Sequence, residues 1–367
     1  MTKILLSTGG TGGHIFPILS LYKKLNKMKE IDDIKIMTDK RAKIFLNTAD
    51  IVIIKSDSPF RKAGVTHMIK TFFYIFISTL KCFFFLISYK PKIIIGSGGY
   101  VSAPVLLAAL ILRKNFILYE TNSVLGRVNR LFLPFCEKLL SGYLDIKKLP
   151  KKYKNKFFHV GQLVRNEFLE ISKVNSAIKQ KKNVLKILIL GGSQGAKVFG
   201  EKLPRCFSSL NTSKIQLSIK QQVQKQQIYK INEFYKNNVK FDVALFEFEN
   251  NIHDFIIESD VVICRSGSST IAELSVLNKP FIAIPLPSSL DNHQYFNAKY
   301  YYDKNCCWLL DENSEDFDDK MINILKDIYN SDVLLINKQN NLIKLNKKNT
   351  IDNFMEHILN KDGLTDK

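Results

Sequence analysis

Short apolar runs punctuate the chain at residues 3–6, 34–37, 51–54, 93–95 and 116–119, and the stretches between them carry apolar residues at helical spacing. Runs this short with no polar alternation mark strands covered on both faces, and their alternation with helices marks βαβ units and a parallel sheet. A second series follows Asn183, with runs at 186–190, 215–219, 243–246, 261–264 and 281–284, again separated by helix-like segments. The pattern predicts an α/β chain of two doubly wound halves, divided near 160–165. Open sheets of this kind bind ligands outside the carboxyl ends of their strands, so two halves facing each other predict one shared site.

One segment departs from this alternation. Residues 72–89, FFYIFISTLKCFFFLISY, carry a single charge, Lys81, and nearly reach the length of a bilayer span. A true span would remove a crossover from the sheet. Two readings keep the fold: a crossover helix buried in the core, and a helix whose aromatic face enters a membrane interface, assisted by Lys70, Lys81, Lys90 and Lys92. From 331 the composition turns to Asn, Lys and Ile, with a helical pattern at 351–359 and a polar tail at 360–367 that should fray.

Composition narrows the possibilities. With 367 residues, 46% of them hydrophobic, the chain can build two full cores and is not disordered. Its 54 Lys+Arg against 34 Asp+Glu give a net charge of +20, which favours nucleic acid, an anionic membrane or phosphorylated small molecules. The clusters at 147–156 and 179–182 come without zinc-finger spacing, an RNP signature or a basic heptad region, so no nucleic-acid partner is expected. Six cysteines without a C-x-x-C pair, and a start without a charged and apolar leader, point to a reducing cytoplasm. The six histidines lack ligand spacing, so no metal site is expected.

The chemistry concentrates in loops between strands and helices. Ser7-Thr8-Gly9-Gly10-Thr11-Gly12-Gly13-His14-Ile15-Phe16-Pro17 follows the first apolar run and leads into a helical pattern from Ile18. Glycines let a ligand approach the backbone, and the open N–H groups of a helix start favour a phosphate; the alternative is an ordinary tight turn. Gly96-Ser97-Gly98-Gly99-Tyr100 repeats the design ahead of a helix expected near Pro104. Tyr119-Glu120-Thr121-Asn122 ends another strand, where Asn122 either meets ligand or caps a helix starting near Val124. In the second half, Gly191-Gly192-Ser193-Gln194-Gly195-Ala196 offers the Ser193 hydroxyl to a phosphate, and Arg165 offers a charge, unless it is merely solvated. Cys264-Arg265-Ser266-Gly267-Ser268-Ser269-Thr270-Ile271-Ala272-Glu273 places amides at a helix start. Glu273 lies one turn in, either for a ribose diol or as a capping-box partner of Thr270. Asp291-Asn292-His293-Gln294 adds side chains suited to sugar hydroxyls.

Together GGTGGHIFP, IGSGGYVSAP, GGSQGA, CRSGSSTIAEL and DNHQYFNA resemble, in order and spacing, the MurG family of peptidoglycan glycosyltransferases, from about residue 3 to 300. The resemblance implies a GT-B fold of two Rossmann-like domains facing an interdomain cleft. Residues 1–163 would form an acceptor- and membrane-side domain onto which a helix of about 348–367 packs back, and 164–347 the UDP-sugar domain. It implies inverting transfer of N-acetylglucosamine from its UDP donor to undecaprenyl-pyrophosphoryl-muramyl-pentapeptide. Ser193 and Arg165 would lie near the phosphates, Glu273 on the ribose and the Glu249 backbone on uracil. Ser268, Ser269, Thr270, Ile271 and Ala272 would line the donor pocket, with Gln294 and Asn122 reaching the sugar. Thr11, Gly12 and Gly13 would close the cleft, and Gly9, Gly10, Gly98, Gly99 and Tyr100 would meet the acceptor. In the family pattern H-E-Q-N only Glu120 and Asn122 agree here, and His293 stands where some relatives have Gln.

For such a displacement His14 is the expected general base, since an imidazole titrates near neutrality; its alternative role is to hydrogen-bond the acceptor or cap the helix. Helix starts with Ser193 and Arg165 would stabilise departing UDP, with no cofactor required and a divalent metal compatible. A lipid-linked acceptor and a cytosolic donor imply a peripheral enzyme on the cytoplasmic face of the inner membrane. The competing readings are another UDP-sugar GT-B enzyme, of lipid-A-disaccharide synthase or epimerase type, and a non-catalytic basic membrane-associated protein.

Overall fold

The strand-and-helix alternation is realised twice in the computed structural model, which describes residues 2–9, 12–44, 50–55, 65–174, 183–192, 197–212, 215–346 and 350–359. The chain divides into two units, Met1–Arg165 with Lys348–Lys367, and Asn166–Lys347. The first contains β1 (Thr2–Ser7), α1 (Gly12–Leu25), β2 (Ile31–Thr38), β3 (Ile51–Ile53), α2 (Val65–Tyr89), β4 (Ile93–Gly96), α3 (Gly99–Ile111), β5 (Ile117–Glu120), α4 (Arg127–Phe132), β6 (Lys138–Ser141) and β7 (Phe157–His159). Its strands pair in parallel in the order β3-β2-β1-β4-β5-β6-β7. The order reverses between β1 and β4, so helices leave to opposite faces there and a crevice opens at the carboxyl ends.

The second unit comprises α5 (Asn166–Val174), β8 (Leu185–Leu190), α6 (Lys197–Ser209), β9 (Leu217–Gln222), α7 (Ile228–Asn238), β10 (Asp242–Phe246), α8 (Ile252–Glu258), β11 (Val261–Cys264), α9 (Ser268–Val276), β12 (Phe281–Ala283), α10 (His293–Tyr302), β13 (Cys307–Leu309), α11 (Phe317–Asn330) and α12 (Asp332–Leu345). Its parallel order is β10-β9-β8-β11-β12-β13, with the reversal between β8 and β11. Strands β6, β7 and β13 were not evident from the pattern. They are three or four residues long with at most two or three apolar positions, and β7 follows directly on the lysine cluster.

Two helix starts differ from expectation. Helices α1 and α3 begin at Gly12 and Gly99, ahead of Pro17 and Pro104, rather than at Ile18 and near Pro104. Each proline is the sixth residue of its helix and forfeits one intrahelical hydrogen bond, while its fixed φ is helical.

Helix α2 has two contrasting faces. Its buried side carries Thr71, Ser78, Thr79, Cys82, Leu86 and Tyr89, whereas Ile69, Phe72, Phe73, Phe76, Leu80, Phe84 and Ile87 are exposed. The buried hydroxyls are satisfied: Ser78 Oγ donates to the Lys55 carbonyl and Thr79 Oγ1 to the Ile75 carbonyl at 2.8 Å. The stretch Ile69–Tyr89 is long and apolar enough to cross a membrane, yet only 28% of its most apolar window is buried. The two readings of this segment are therefore compatible, each with a different face: one side of the crossover helix is buried, where α2 packs against α3, and Phe72, Phe73, Phe76 and Phe84 are exposed on the other.

The last helix, α13 (Thr350–Leu359), belongs to the first unit. It buries Ile351, Phe354, Met355, Ile358 and Leu359 in that unit's core, and Lys138 Nζ donates to the His357 carbonyl at 2.7 Å. Phe354 is fully buried with its ring edge-on to Tyr119, centroids 5.1 Å apart. Phe354→Ala should lower stability by about 3–5 kcal/mol, read as a shift in the denaturant midpoint monitored by circular dichroism.

Candidate functional site

In the first unit, Ser7 at the end of β1 pairs with Gly96 at the end of β4, and both chains leave the sheet there in glycine loops. The loops approach backbone to backbone: a Cβ on Gly9 would lie 3.5 Å from the Gly99 Cα, and one on Gly99 3.4 Å from the Gly9 Cα. Gly98 has φ 79° and ψ −163°, a region essentially closed to residues with a side chain. Ser102 Oγ donates to the Gly98 carbonyl at 2.7 Å and pins this turn from α3. Gly12 and Gly13 are the first residues of α1, and Tyr100 is the second of α3. Gly10 and Thr11 lie outside the described residues.

His14 stands in the first turn of α1, half-buried, with Nδ1 3.0 Å from the Ser97 carbonyl oxygen. A carbonyl only accepts, so Nδ1 carries the proton and the lone pair is left on Nε2. Thr8 Oγ1 donates to the His14 carbonyl at 2.9 Å, tying the strand end to the helix start. Burial lowers the His14 pKa from its ordinary 6.5, partly offset by the bond to Ser97. The imidazole is neutral at neutral pH, as a base must be.

Asn122 does not cap α4, whose N-cap is Gly126. Its backbone N–H and its side-chain Nδ2 both donate to Glu120 Oε1, at 3.0 and 3.2 Å. Arg165 is not simply solvated: its guanidinium lies 4.8 Å from the centre of the Phe16 ring, over α1.

In the second unit Gly191 and Gly192 follow β8, with Gly192 at φ 81°; Ser193, Gln194, Gly195 and Ala196 lie outside the described residues. Helix α9 opens at the end of β11 with Ser268, Ser269 and Thr270 as its first turn and Gly267 as N-cap. Thr270 is thus inside the helix, and the capping-box reading of Thr270 with Glu273 is corrected. The Ile271 and Ala272 side chains are core, so what these two can offer a ligand is backbone. Gln294 Oε1 accepts the Leu286 N–H at 3.0 Å, and the His293 ring bonds the Leu290 carbonyl at 2.8 Å. Glu249, after β10, turns back to accept the Asn251 N–H at 2.8 Å.

Comparison with known proteins shows the family. Residues 4–141 match the glycosyltransferase family 28 N-terminal domain and residues 186–355 its C-terminal domain. The chain is 36% identical to the UDP-N-acetylglucosamine--N-acetylmuramyl-(pentapeptide) pyrophosphoryl-undecaprenol N-acetylglucosamine transferase of Rickettsia felis, over 95% of this chain and 96% of that one. It is 34% identical to the transferase of the same name from Pelagibacter ubique, over 96% of each. The chain belongs to the MurG family of glycosyltransferases. The crystal structure of MurG from Acinetobacter baumannii superposes with a TM-score of 0.78 at 21% identity, covering 98% of this chain and all of that one, which shows the GT-B fold.

Sequence reasoning passed over one residue inside a motif it had singled out. In this member of the MurG family Arg265, just past β11, is buried. Its Nη1 donates to the carbonyls of Ile284 and Pro285 at 3.1 Å each and pairs with Glu312 Oε2 at 2.5 Å. It joins the carboxyl ends of β11, β12 and β13 beneath the start of α9. The only available signal was an arginine placed directly after four buried strand residues. Among the described residues no group of three or more His, Cys, Asp or Glu is placed to hold a metal ion. The glycine geometry yields a direct test. Gly98→Ala should cost about 1–3 kcal/mol of stability, measured by denaturant unfolding, because its φ and ψ are closed to alanine.

Proposed function

We propose that the chain transfers N-acetylglucosamine from UDP-N-acetylglucosamine to the muramyl sugar of undecaprenyl-pyrophosphoryl-muramyl-pentapeptide, a step of peptidoglycan synthesis. The observation that carries this reading is 36% identity along nearly the whole length of a transferase of that name, together with glycine loops or helix starts at both strand-order reversals. In the reaction the acceptor hydroxyl oxygen bonds the anomeric carbon as the bond from that carbon to the UDP oxygen breaks, giving inversion. His14 Nε2 takes the hydroxyl proton, and the electron pair of the broken bond leaves on the diphosphate. The start of α9, Arg165 and Ser193 offset the charge that develops there, so this reading needs no cofactor and no metal. Glu273 takes the ribose, the Glu249 backbone the uracil, and Asn122 and Gln294 the sugar. Gly9, Gly98, Gly99 and Tyr100 meet the lipid-linked acceptor.

The outward aromatic face of α2 supports a peripheral position on the cytoplasmic face of the inner membrane. An apolar stripe of this size is unusual on a soluble monomer. Lys70, Lys81 and Lys90 are exposed along the same helix and just past it, and they suit an anionic leaflet rather than nucleic acid.

UDP release should depend on the lipid-linked muramyl acceptor, and release without it, or none with it, would remove this reading. His14→Ala should lower kcat about a hundredfold or more with donor affinity unchanged, because a general base acts only in the transition state. The wild-type kcat/KM should fall on the acid side only at a pH below 6.5, since burial lowers the His14 pKa in the free enzyme and keeps the imidazole neutral down to that point. Replacing Phe72, Phe76 and Phe84 together by Ser should reduce sedimentation with anionic vesicles; unchanged binding would take α2 out of membrane contact.

A further inference from the structure

The carboxyl group of Glu120, at the end of β5, is 1% exposed and has no cationic partner among its hydrogen bonds. Its oxygens instead accept four N–H groups. Oε1 takes the Asn122 backbone at 3.0 Å and Asn122 Nδ2 at 3.2 Å. Oε2 takes the Gly126 backbone at 2.9 Å and Asn129 Nδ2 at 2.8 Å. Two donors on each oxygen suit an acceptor-only carboxylate. A carboxamide or a protonated carboxyl would turn a hydrogen toward one of the two pairs. Burial raises the Glu120 carboxyl above its ordinary range, and the four donors offset only part of that rise.

The chain is shaped around this group. A Cβ on Gly126 would lie 3.2 Å from Oε2, so a glycine there lets the backbone N–H come in close. Because a carboxylate cannot donate, the Asn122 carboxamide must present its nitrogen to Glu120, which fixes which end of the amide faces away. Asn129 carries the effect further. A Cβ on Gly98 would lie 3.1 Å from Asn129 Nδ2 and 3.3 Å from its Oδ1, so the second glycine loop rests on this amide. Ser97, next in the chain, holds the His14 ring.

We infer that Glu120 is a positioning residue for sugar transfer: its buried carboxylate orients the Asn122 carboxamide toward the donor sugar and, through Asn129, seats the loop of Gly98. The inference rests on the proposed function, which places Asn122 on that sugar. It assigns Glu120 no contact with substrate. Its effect should therefore show only when the sugar is present.

The test is calorimetry on the full-length protein with UDP-N-acetylglucosamine and with UDP alone. Glu120→Gln keeps the shape but sets an N–H2 against one donor pair. It should weaken UDP-N-acetylglucosamine about tenfold, the scale of one lost hydrogen bond, and leave UDP within about twofold. Asn122→Ala should do the same, and the double variant should bind no more weakly than Asn122→Ala alone. Glu120→Asp, which keeps an acceptor-only group, should recover part of the loss. Partial unfolding lowers the stoichiometry for both ligands and not the affinity for one, so it does not imitate the expected result. Equal weakening of both ligands, additive losses in the double variant, or an unaffected Glu120→Gln would overturn the inference. So would a silent Asn122→Ala, which removes the residue through which Glu120 acts. Acceptor-dependent UDP release by the wild type is scored separately, so failure of the proposed function is told apart from failure of this inference.

Discussion

In each unit, the reversal of strand order beside the central strand is the constraint on which the rest depends. Successive βαβ crossovers share one hand, so strands added on either side of β1, or of β8, send their helices to opposite faces. At the reversal no helix covers the carboxyl edge. Backbone amides and helix starts are left facing outward, and the chain must turn sharply between strand and helix. Glycine is favoured where such a turn takes positive φ, as Gly99 does beside Gly9, and required where Gly98 takes dihedrals closed to other residues.

In each unit a buried ionisable side chain gathers loops at the carboxyl ends of the strands. Glu120 gathers the N–H groups of Asn122, Gly126 and Asn129 in the first, and Arg265 gathers the carbonyls of Ile284 and Pro285 and the carboxylate of Glu312 in the second. The two are opposite in sign and alike in effect. A desolvated charge is costly unless it is hydrogen-bonded or paired, so each draws its surrounding segments together. In the proposed reaction, loops held in this way would be fixed before ligand arrives, which is what electrostatic catalysis asks of its scaffold.

Helix α2 follows a different logic. Between β3 and β4 a crossover helix normally buries most of its large apolar side chains, yet here Ser78, Thr79 and Cys82 share the buried face with Leu86 and Tyr89, and Phe72, Phe73, Phe76 and Phe84 are exposed. Its core contacts are close because the residues are small, and its hydroxyls find carbonyl acceptors at Lys55 and Ile75. The apolar surface left outside needs an apolar or interfacial environment. The acceptor's polyprenyl tail requires the same environment in the proposed reaction, so the fold and the proposed substrate make one demand.

The sequence by itself determined what depends on local pattern. Fully buried parallel strands need unbroken apolar runs, so the longer ones were readable; glycine loops followed by helices are local, and so were the five motifs that carried the family resemblance. What stayed hidden depends on which neighbours a residue meets. Strands of three or four residues such as β7 and β13 carry too few positions to form a pattern. Helix starts at Gly12 and Gly99 were masked by prolines that stand in the second turn of each helix. That Thr270 does not cap α9, that Arg165 lies over Phe16, and that Asn122 is held by Glu120 rather than capping α4 are outcomes of packing. The apolar count of residues 72–89 was plain from the start. Which face of that helix turned outward was decided only by the neighbours it packs on, α3 foremost, because helical periodicity gives the faces and tertiary contact chooses between them.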